Sequence, residues 1–582
     1  MSARCTAITS ARTTTFKRVL STSPTPLPAW LSVAMICAGL AHAASVAWPF
    51  AAVDLGVGVL VQGQALWWLQ LLALAGLVLG LKRCATVRQS AWLGWVFATA
   101  MQCGTWWWLF TSLHVYGGLA SPLAVAAVVG LAGFLGLYYA AIFGLFISLA
   151  PVSIAWRAIV FAFLWMAAEL ARVQFFTGFP WGEGGYAQLD GPFVNLSKLV
   201  GVHGLTLGAA LLAALLAGLV SARRLHCWTA ALTATGVLLA GAGSAALQLT
   251  SNGGSAFTAP LPSASPFTVT LLQGNISQDE KFIGTTGVPD ALSWYGRQLM
   301  AANSALVVTP ETALPLLPEQ LPDGYIDALI ERFTAPQFAG GERTAALIGI
   351  VLGSSQLGYT NSAIGLKPAE PMAFGATSAP APPPVLYRYN KHHLVPFGEF
   401  VHPLFKWFLA VVDMPLSDFN TGAVNQPSFD WQGQRIAPNI CYEDLFGEEL
   451  AARFVNASEA PTLFVNLSNI AWFGDSLAID QHLNISRVRA IEFERPMLRA
   501  TNTGATAVID ARGEVTHALP RLSRGSLQAT VVGRTGVTPY AWWVGRLGLW
   551  PWWVMAAAVV LLALARRRQL ALQRPARPGD ES

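Results

Sequence analysis

Hydrophobic and polar positions divide the chain into two parts. In the first 250 residues, mostly apolar runs recur that are long enough to cross a bilayer, which takes roughly 20 residues. They predict seven membrane spans, at 28–48, 62–81, 90–111, 122–149, 155–173, 197–220 and 228–248. A further run at 547–565 predicts an eighth span after a long polar stretch. We therefore expect a polytopic helical bundle.

Between residues 267 and 546 the apolar runs become short and alternate with turn residues and helical stretches. Strands are predicted at 267–273, 304–308, 345–351, 385–390, 435–440, 462–467, 497–501 and 505–510. Helices are predicted at 288–302, 322–334, 446–455 and 478–494. Such alternation over a long stretch indicates a layered α/β domain.

These patterns predict a domain organisation. We expect a tail at 1–27, a membrane domain with seven spans at 28–248, and a linker rich in Ser, Gly and Pro at 249–266. An α/β domain at 267–546, the eighth span at 547–565 and a basic tail at 566–582 complete the chain. The segment 366–384 has no periodicity and ends in consecutive prolines, which is typical of an exposed loop.

Basic residues lie in every second connection between the predicted spans. They are Arg4, Arg12, Lys17, Arg18, Lys82, Arg83, Arg88, Arg157, Arg223, Arg224, Arg566, Arg567 and Arg568. By the positive-inside rule both termini are cytoplasmic and residues 249–546 lie outside. Residues 41–43 resemble a signal-peptidase site. We expect no cleavage there, because the apolar run continues through Trp48 and Phe50.

The composition fits a membrane protein, with 54% hydrophobic and only 12% charged residues. The net charge of +5 is too small to indicate nucleic-acid binding. Of six cysteines, only Cys441 belongs to the predicted outer domain, where a lone thiol has no intrachain disulfide partner. The number and position of the cysteines therefore leave two interpretations of Cys441 open, a reactive thiol and a small buried core residue.

Three polar residues follow apolar strands in the outer domain: Glu311, Lys391 and Cys441. Ligand crevices form where the strands of open α/β sheets end. Glu311 could take the thiol proton, and Lys391 could stabilise the thiolate and an oxyanion. The backbone N–H of Tyr442 could be a second oxyanion donor, and Glu399 could hold the Lys391 ammonium. Taken singly, Glu311 and Lys391 could equally be solvated surface residues.

Short blocks around these residues resemble the nitrilase (carbon–nitrogen hydrolase) superfamily and, more narrowly, the bacterial apolipoprotein N-acyltransferases. The blocks are 310–311, 389–400 and 440–443, with further matches at 177–181, 185–186, 273–276, 471–474, 487–496 and 501–504. The resemblance implies an α-β-β-α sandwich, with Glu311 as general base, Lys391 as transition-state stabiliser and Cys441 as nucleophile. It also implies supporting or substrate-binding positions at Asn390, Glu399, Tyr442, Glu443 and Trp472.

The reaction that this resemblance implies has two steps and proceeds through a thioester on Cys441. A phospholipid would be the acyl donor, and the α-amino group of a diacylglyceryl-cysteine on an apolipoprotein would be the acceptor. We expect no cofactor or metal, no nucleic acid, a monomer, and a place in the bacterial inner membrane with the catalytic domain in the periplasm.

Other interpretations stay open at this point. One is a membrane-tethered amidase that hydrolyses a lipid-linked or hydrophobic amide. Others are a transporter or scaffold with an outer binding module, and a Cys–His site that uses His392 or His393. Within the fifth span, Glu169 could be functional or could pair with Arg172, and residues 177–181 could contact lipid or serve as an aromatic anchor.

Overall fold

Apolar runs in the first part of the chain fold into helices that pack on one another. The computed structural model describes residues 26–54, 59–149, 153–220, 236, 255–261, 267–335, 343–368, 386–401 and 418–573. Among these residues, six helices of 15 residues or more precede the sandwich domain: α1 (Ala29–Val46), α2 (Trp67–Leu81), α3 (Val87–Trp106), α4 (Ser121–Leu149), α5 (Ile154–Gln174) and α6 (Ser197–Val220). Their shared core includes Leu74, Phe97, Phe143 and Trp165.

Later helices flank the sheets or follow them. They are α7 (Gly287–Ala301), α8 (Tyr325–Thr334), α9 (Gly447–Ala451), α10 (Leu477–Phe493), α11 (Pro539–Leu547) and α12 (Trp550–Leu572). The last of these returns to the bundle and contacts α5 and α4. Ser476 and Thr538 each accept a hydrogen bond from a backbone N–H in the first turn of the helix that follows, which sets where α10 and α11 begin.

The expectation of eight spans is met only in part. In the part of the chain that the structure describes, five helices are long and apolar enough to cross a membrane: Ala29–Val46, Ser121–Leu149, Ile154–Thr177, Val194–Val220 and Trp550–Leu570. The prediction at 228–248 lies outside the described residues.

The second and third predicted spans are helices that fall short of a full apolar span. Helix α2 has 15 residues, about 22 Å at 1.5 Å per residue, because residues 62–66 form a turn in which Leu66 N–H donates to Ser45 O. Helix α3 has 20 residues, but Arg88, Gln89, Ser90 and Gln102 lower its hydropathy. Helix boundaries depend on such turns, which hydropathy alone does not detect.

In the residues that the structure describes, the α/β part contains two six-stranded sheets. Two short strands in the membrane domain are β1 (Val53–Asp54) and β2 (Val59–Leu60), and β3 (Thr258–Pro260) lies within the predicted linker. One sheet has the order β15-β4-β5-β6-β7-β8, with β4 (Phe267–Gln273), β5 (Leu306–Val308), β6 (Ala345–Ser354), β7 (Gly358–Leu366), β8 (Tyr387–Asn390) and β15 (Gly525–Val531).

The other sheet has the order β14-β13-β12-β11-β10-β9. Its strands are β9 (Phe429–Trp431), β10 (Gln434–Ile440), β11 (Leu463–Ser468), β12 (Met497–Thr501), β13 (Ala507–Ile509) and β14 (Val515–Ala518). A short strand β16 (Arg534–Gly536) pairs with β3. All eight predicted strands and four predicted helices coincide with observed elements, whereas β1, β2, β3, β7, β9, β14, β15, β16 and helix α11 were not predicted.

Alternate side chains of each sheet pack on opposite faces. Leu271 of β4 and Val465 of β11 belong to the core between the sheets, whereas Leu272 packs with α7 and α8. Phe464 packs on the other side, with Phe493 of α10 and Tyr540 of α11. The result is the expected α-β-β-α sandwich, and burial on both faces explains why strands such as β5 and the first part of β6 are apolar runs without polar alternation.

Candidate active site

Glu311 follows β5 and lies at the end of the first sheet. Its Oε1 accepts hydrogen bonds from Lys391 Nζ at 3.0 Å and Asn361 Nδ2 at 2.7 Å, and its Oε2 accepts from Asn469 N–H at 2.9 Å. The neighbouring strand β6 must pass very close to this loop, since a Cβ on Gly349 would lie 2.1 Å from Pro310 O. Three donors thus hold the carboxylate in one orientation.

Lys391 follows β8 and is almost completely buried. Its ammonium lies between two carboxylates, with Nζ 3.0 Å from Glu311 Oε1 and 2.9 Å from Glu399 Oε1. Its backbone is fixed as well, because its N–H donates to Asn361 O at 2.8 Å and its carbonyl accepts from Gly422 N–H at 2.8 Å. A buried ammonium with this geometry is a fixed positive charge rather than a mobile surface lysine.

Cys441 follows β10, at the edge of the second sheet that faces Glu311 and Lys391. Its backbone is left-handed, with φ of 53°, a conformation that is unusual for a residue other than glycine and common at functional sites. Its carbonyl accepts from Asn466 Nδ2 at 3.2 Å and lies 3.1 Å from His482 Nε2. As a whole residue Cys441 is half-buried, and it packs against the core between the sheets.

The charges of the two other residues act directly on this thiol. Burial raises the pKa of Cys441 to about 12, the Glu311 carboxylate adds to the rise, and the Lys391 ammonium opposes it. Burial would also raise the pKa of Glu311, but the Lys391 ammonium and its hydrogen bond outweigh it, so this pKa is lowered. In the resting site Glu311 is therefore ionised and Cys441 is a thiol, which is the arrangement that a base and its proton donor require.

The raised thiol pKa predicts an unusual pH dependence of alkylation. With iodoacetamide and detergent-solubilised protein, the rate at Cys441 is expected to keep rising between about pH 9 and 11, where a free cysteine with a pKa of about 8.5 has levelled off. Peptide mass spectrometry measures the rate at this residue separately. Glu311→Gln removes a negative neighbour, so its curve should shift to lower pH. A plateau below pH 9 in the wild-type protein would contradict the prediction.

The structure also brings in residues that the sequence analysis did not select. Asn361, on β7, donates through one amide nitrogen to Glu311 Oε1 and to Glu399 Oε1, both at 2.7 Å. Lys281 is buried, and its Nζ lies 3.2 Å from Glu311 O. Burial lowers the pKa of Lys281 to about 8, although Glu311 and Cys441 oppose the change. Residues 358–362 (GYTNS) are polar apart from one tyrosine, so no hydrophobic period marked the start of β7.

Both predicted supporting acids are hydrogen-bonded near the site, where Glu443 is buried and Glu399 is half-buried. Glu399 accepts from Lys391 and, through Oε2, from Val395 N–H at 2.9 Å. Glu443 accepts from Tyr389 OH at 2.8 and 2.9 Å and from His392 N–H at 2.6 Å. Burial raises the pKa of Glu443, while its backbone hydrogen bonds oppose the rise. Glu443 thus joins the lysine loop to the turn that carries Cys441.

The remaining predicted residues lie around this centre. Trp472 packs edge-to-face against Tyr116 of the membrane domain, with ring centroids 5.7 Å apart. Asn390 is hydrogen-bonded to residues on both sides of β8. Its Oδ1 accepts from Ser362 Oγ at 2.9 Å and Arg388 Nε at 2.7 Å, and its backbone binds Gln426. Asn390 therefore holds the end of β8 in place.

A membrane-domain loop reaches the residue after the nucleophile. Gly178 O accepts from Tyr442 OH at 3.3 Å, and the Phe179 and Tyr442 rings stack with centroids 6.3 Å apart. Gly178 has φ of 82°, and a Cβ there would lie 1.8 Å from Val173 O, so this turn requires glycine. Trp181 is buried. These residues pack on the sandwich domain. The sequence analysis considered lipid contact and aromatic anchoring for this loop, and neither includes such packing.

The histidines beside Lys391 are engaged away from the thiol. His393 lies 2.8 Å from Glu449 Oε1 and 2.9 Å from Thr177 O, through its two ring nitrogens. His392 Nδ1 lies 2.7 Å from Gly422 O. A Cys–His arrangement with either residue finds no support in these contacts.

Two further sequence questions concern buried polar groups. The Glu169 carboxylate accepts from Gly184 N–H at 3.1 Å and Thr206 Oγ1 at 3.1 Å. Arg172, one turn further along α5, donates hydrogen bonds to Phe179 O and Trp181 O. Among the described residues, no group of three or more His, Cys, Asp or Glu side chains is placed to hold a metal ion.

The sandwich, with a carboxylate, a buried lysine and a cysteine at the ends of its strands, defines a carbon–nitrogen hydrolase domain. The family model described as "Carbon-nitrogen hydrolase" matches residues 268–540. A second family model, "Apolipoprotein N-acyltransferase N-terminal domain", matches residues 59–215.

Full-length relatives narrow the class to one family. An apolipoprotein N-acyltransferase from Verminephrobacter eiseniae is 52% identical over 90% of this chain and 94% of its own length. One from Ralstonia nicotianae is 42% identical over 86% and 90%. Among solved structures, an amidase from Nesterenkonia sp. is 15% identical, covers 47% of this chain and 92% of its own, and has a TM-score of 0.30. The chain belongs to the apolipoprotein N-acyltransferase family.

Proposed function

We propose that this chain transfers an acyl chain from a phospholipid to the α-amino group of the diacylglyceryl-cysteine of an apolipoprotein, through a thioester on Cys441. The observation that carries the proposal is the buried ion pair of Lys391 and Glu311, which lies beside Cys441 in a site that a membrane-domain loop adjoins. Names of the relatives support the choice of substrates.

The first step forms the thioester. Glu311 takes the proton from the Cys441 thiol as the sulfur attacks the ester carbonyl of the phospholipid. Lys391 and the backbone N–H of Tyr442 stabilise the oxyanion. The carbon–oxygen bond of the ester then breaks, and Glu311 returns its proton to the departing lysophospholipid oxygen. The acyl chain remains on the sulfur.

The second step consumes the thioester. The acceptor amine attacks as the free base, so it must lose one proton before it enters the reaction. Glu311 then takes a proton from the attacking nitrogen, the carbon–sulfur bond breaks, and the proton returns to Cys441. Because the two lipid substrates react one after the other, one opening on the membrane side can serve both.

We further propose the orientation that the basic residues indicate. The catalytic domain at 267–546 lies in the periplasm, both termini are cytoplasmic, and the protein is a monomer of the bacterial inner membrane. The distribution of Lys and Arg supports this orientation. We also propose that the chain is not cleaved at residues 41–43. His42 supports this, because it lies within α1 and is buried among the helices.

The proposal predicts the products of a direct assay. Purified protein incubated with phospholipid and a diacylglyceryl lipopeptide should release lysophospholipid and N-acylated peptide in equal amounts, as mass spectrometry would measure. A matched lipopeptide with an acetylated α-amino group should remain unmodified, since it lacks the nucleophile. Free fatty acid without N-acylated peptide would instead indicate the hydrolytic alternative, a membrane-tethered amidase.

A further inference from the structure

Helix α10 of the sandwich domain lies against the membrane domain through Gln481. Its Oε1 accepts from Trp108 Nε1 at 3.0 Å and Trp181 Nε1 at 2.8 Å, and its Nε2 donates to Thr105 O at 3.2 Å. Gln481 is buried, so all three bonds are shielded from water. One side chain therefore ties the helix to three points of the membrane domain.

The next residue, His482, contacts the nucleophile. Its Nδ1 lies 3.0 Å from Arg499 Nη2, and a guanidinium can only donate, so Nδ1 must accept. The ring proton is therefore on Nε2, which lies 3.1 Å from Cys441 O and 2.9 Å from Asp444 Oδ1. A nitrogen that donates to these acceptors cannot take the proton of the Cys441 thiol.

The surroundings of His482 hold its ring in this orientation. The Trp181 ring stacks on it, with centroids 5.4 Å apart and planes at 21°. Arg499 and Asp444 are completely buried, and Ser486 donates to Asp444. The ring thus contacts the membrane domain on one face and the backbone of Cys441 at its edge.

We propose that Gln481 and His482 are positioning residues through which the membrane domain holds Cys441 in its reactive conformation. Trp108 and Trp181 fix α10, and His482 fixes the carbonyl of Cys441, whose left-handed backbone aims the thiol towards Glu311 and Lys391. This inference rests on the proposed nucleophilic role of Cys441. It makes the membrane domain part of the catalytic machinery as well as a site for lipid.

A small soluble ester tests this positioning without any lipid. p-Nitrophenyl acetate should acetylate Cys441, with the thiol proton passing to Glu311 and nitrophenolate leaving, and peptide mass spectrometry gives the rate. His482→Leu should slow acetylation about 100-fold, the effect of misplacing a reacting group by about 1 Å. His482→Gln should stay within about tenfold of wild type, because its amide N–H can replace Nε2–H.

Gln481 offers a second matched pair. Gln481→Leu removes the acceptor for both indoles and should slow acetylation as His482→Leu does. Gln481→Glu keeps an acceptor oxygen and should retain most of the rate. Thermal unfolding of every variant, as full-length protein in detergent, separates loss of positioning from loss of the fold.

Several results would overturn the inference. An acid–base role for His482 would make His482→Gln as slow as His482→Leu, and unchanged rates in both Leu variants would show that neither residue positions the thiol. If the Leu variants do not fold, the two conservative variants decide the question. Slow acetylation in folded His482→Gln or Gln481→Glu would then overturn the inference. So would absence of acetylation in the wild-type protein. Acetylation without transfer from phospholipid would overturn only the proposed function.

Discussion

The Cys441→Ala variant is expected to gain no acyl chain from phospholipid, whereas the wild-type protein gains one that hydroxylamine removes. Intact-protein mass spectrometry measures both. The physical reason is that Cys441 is the sole thiol beside the Glu311–Lys391 ion pair among the four cysteines that the structure describes, Cys37, Cys84, Cys103 and Cys441. Loss of a nucleophile lowers turnover by about 10⁴-fold or more.

Two further variants make this prediction specific. Cys103→Ala changes a half-buried cysteine of α3 in the membrane domain and should leave acylation unchanged. Cys441→Ser keeps the shape of the site but has a poorer nucleophile, so any acyl group that it accepts would be an oxygen ester that resists mild hydroxylamine. A hydroxylamine-sensitive acyl group on Cys441→Ala would place the thioester on another residue and end the assignment.

The Lys391→Met variant should lose both activity and stability. It removes the ammonium between Glu311 and Glu399 and leaves the buried Glu311 carboxylate and the half-buried Glu399 carboxylate without their cation. Breaking a buried pair in this way costs about 3–5 kcal/mol of unfolding free energy, and loss of an oxyanion donor lowers kcat by about 10²–10³-fold. Denaturant unfolding and steady-state kinetics measure the two effects separately.

The pH dependence of Lys391→Met has a definite sign. Lys391 holds the pKa of Glu311 below its ordinary value. In the wild-type protein the ion pair therefore contributes its full stability when the pH is above the ordinary glutamate pKa. That stability is lost as the pH falls through the lowered pKa of Glu311. Without the ammonium, burial raises the pKa of Glu311, so the acidic limb of the rate profile moves to higher pH. Lys367→Met, which changes a half-buried lysine that binds Asp430 O, is the matched control. An unshifted acidic limb would contradict the role given to this pair.

Loop residues of the membrane domain contact the residues around Cys441 directly, which a surface that only faces lipid would not need to do. Gly178 O and the Phe179 ring contact Tyr442, and Trp181 contacts Gln481 and His482. Arg172 in turn holds the carbonyls of Phe179 and Trp181. The turn that follows Cys441 and these parts of the membrane domain are thereby packed into one core.

Several features of this protein follow from the sequence by itself. Apolar runs located the helices of the bundle, and short apolar runs located the eight predicted strands, because burial of both faces of a strand leaves a contiguous apolar segment. Glu311, Lys391 and Cys441 were selected because each follows such a strand. The family resemblance then supplied the roles that we propose for them.

Other features were decided by the tertiary structure alone. Asn361 lies in a polar stretch without hydrophobic period, and it becomes important only because β7 pairs beside β8 and brings it to Glu311 and Glu399. His482 is one of nine histidines in the sequence, and only the fixed donor Arg499 shows which nitrogen carries its proton. Such contacts join residues far apart in the chain, so local composition and periodicity do not encode them.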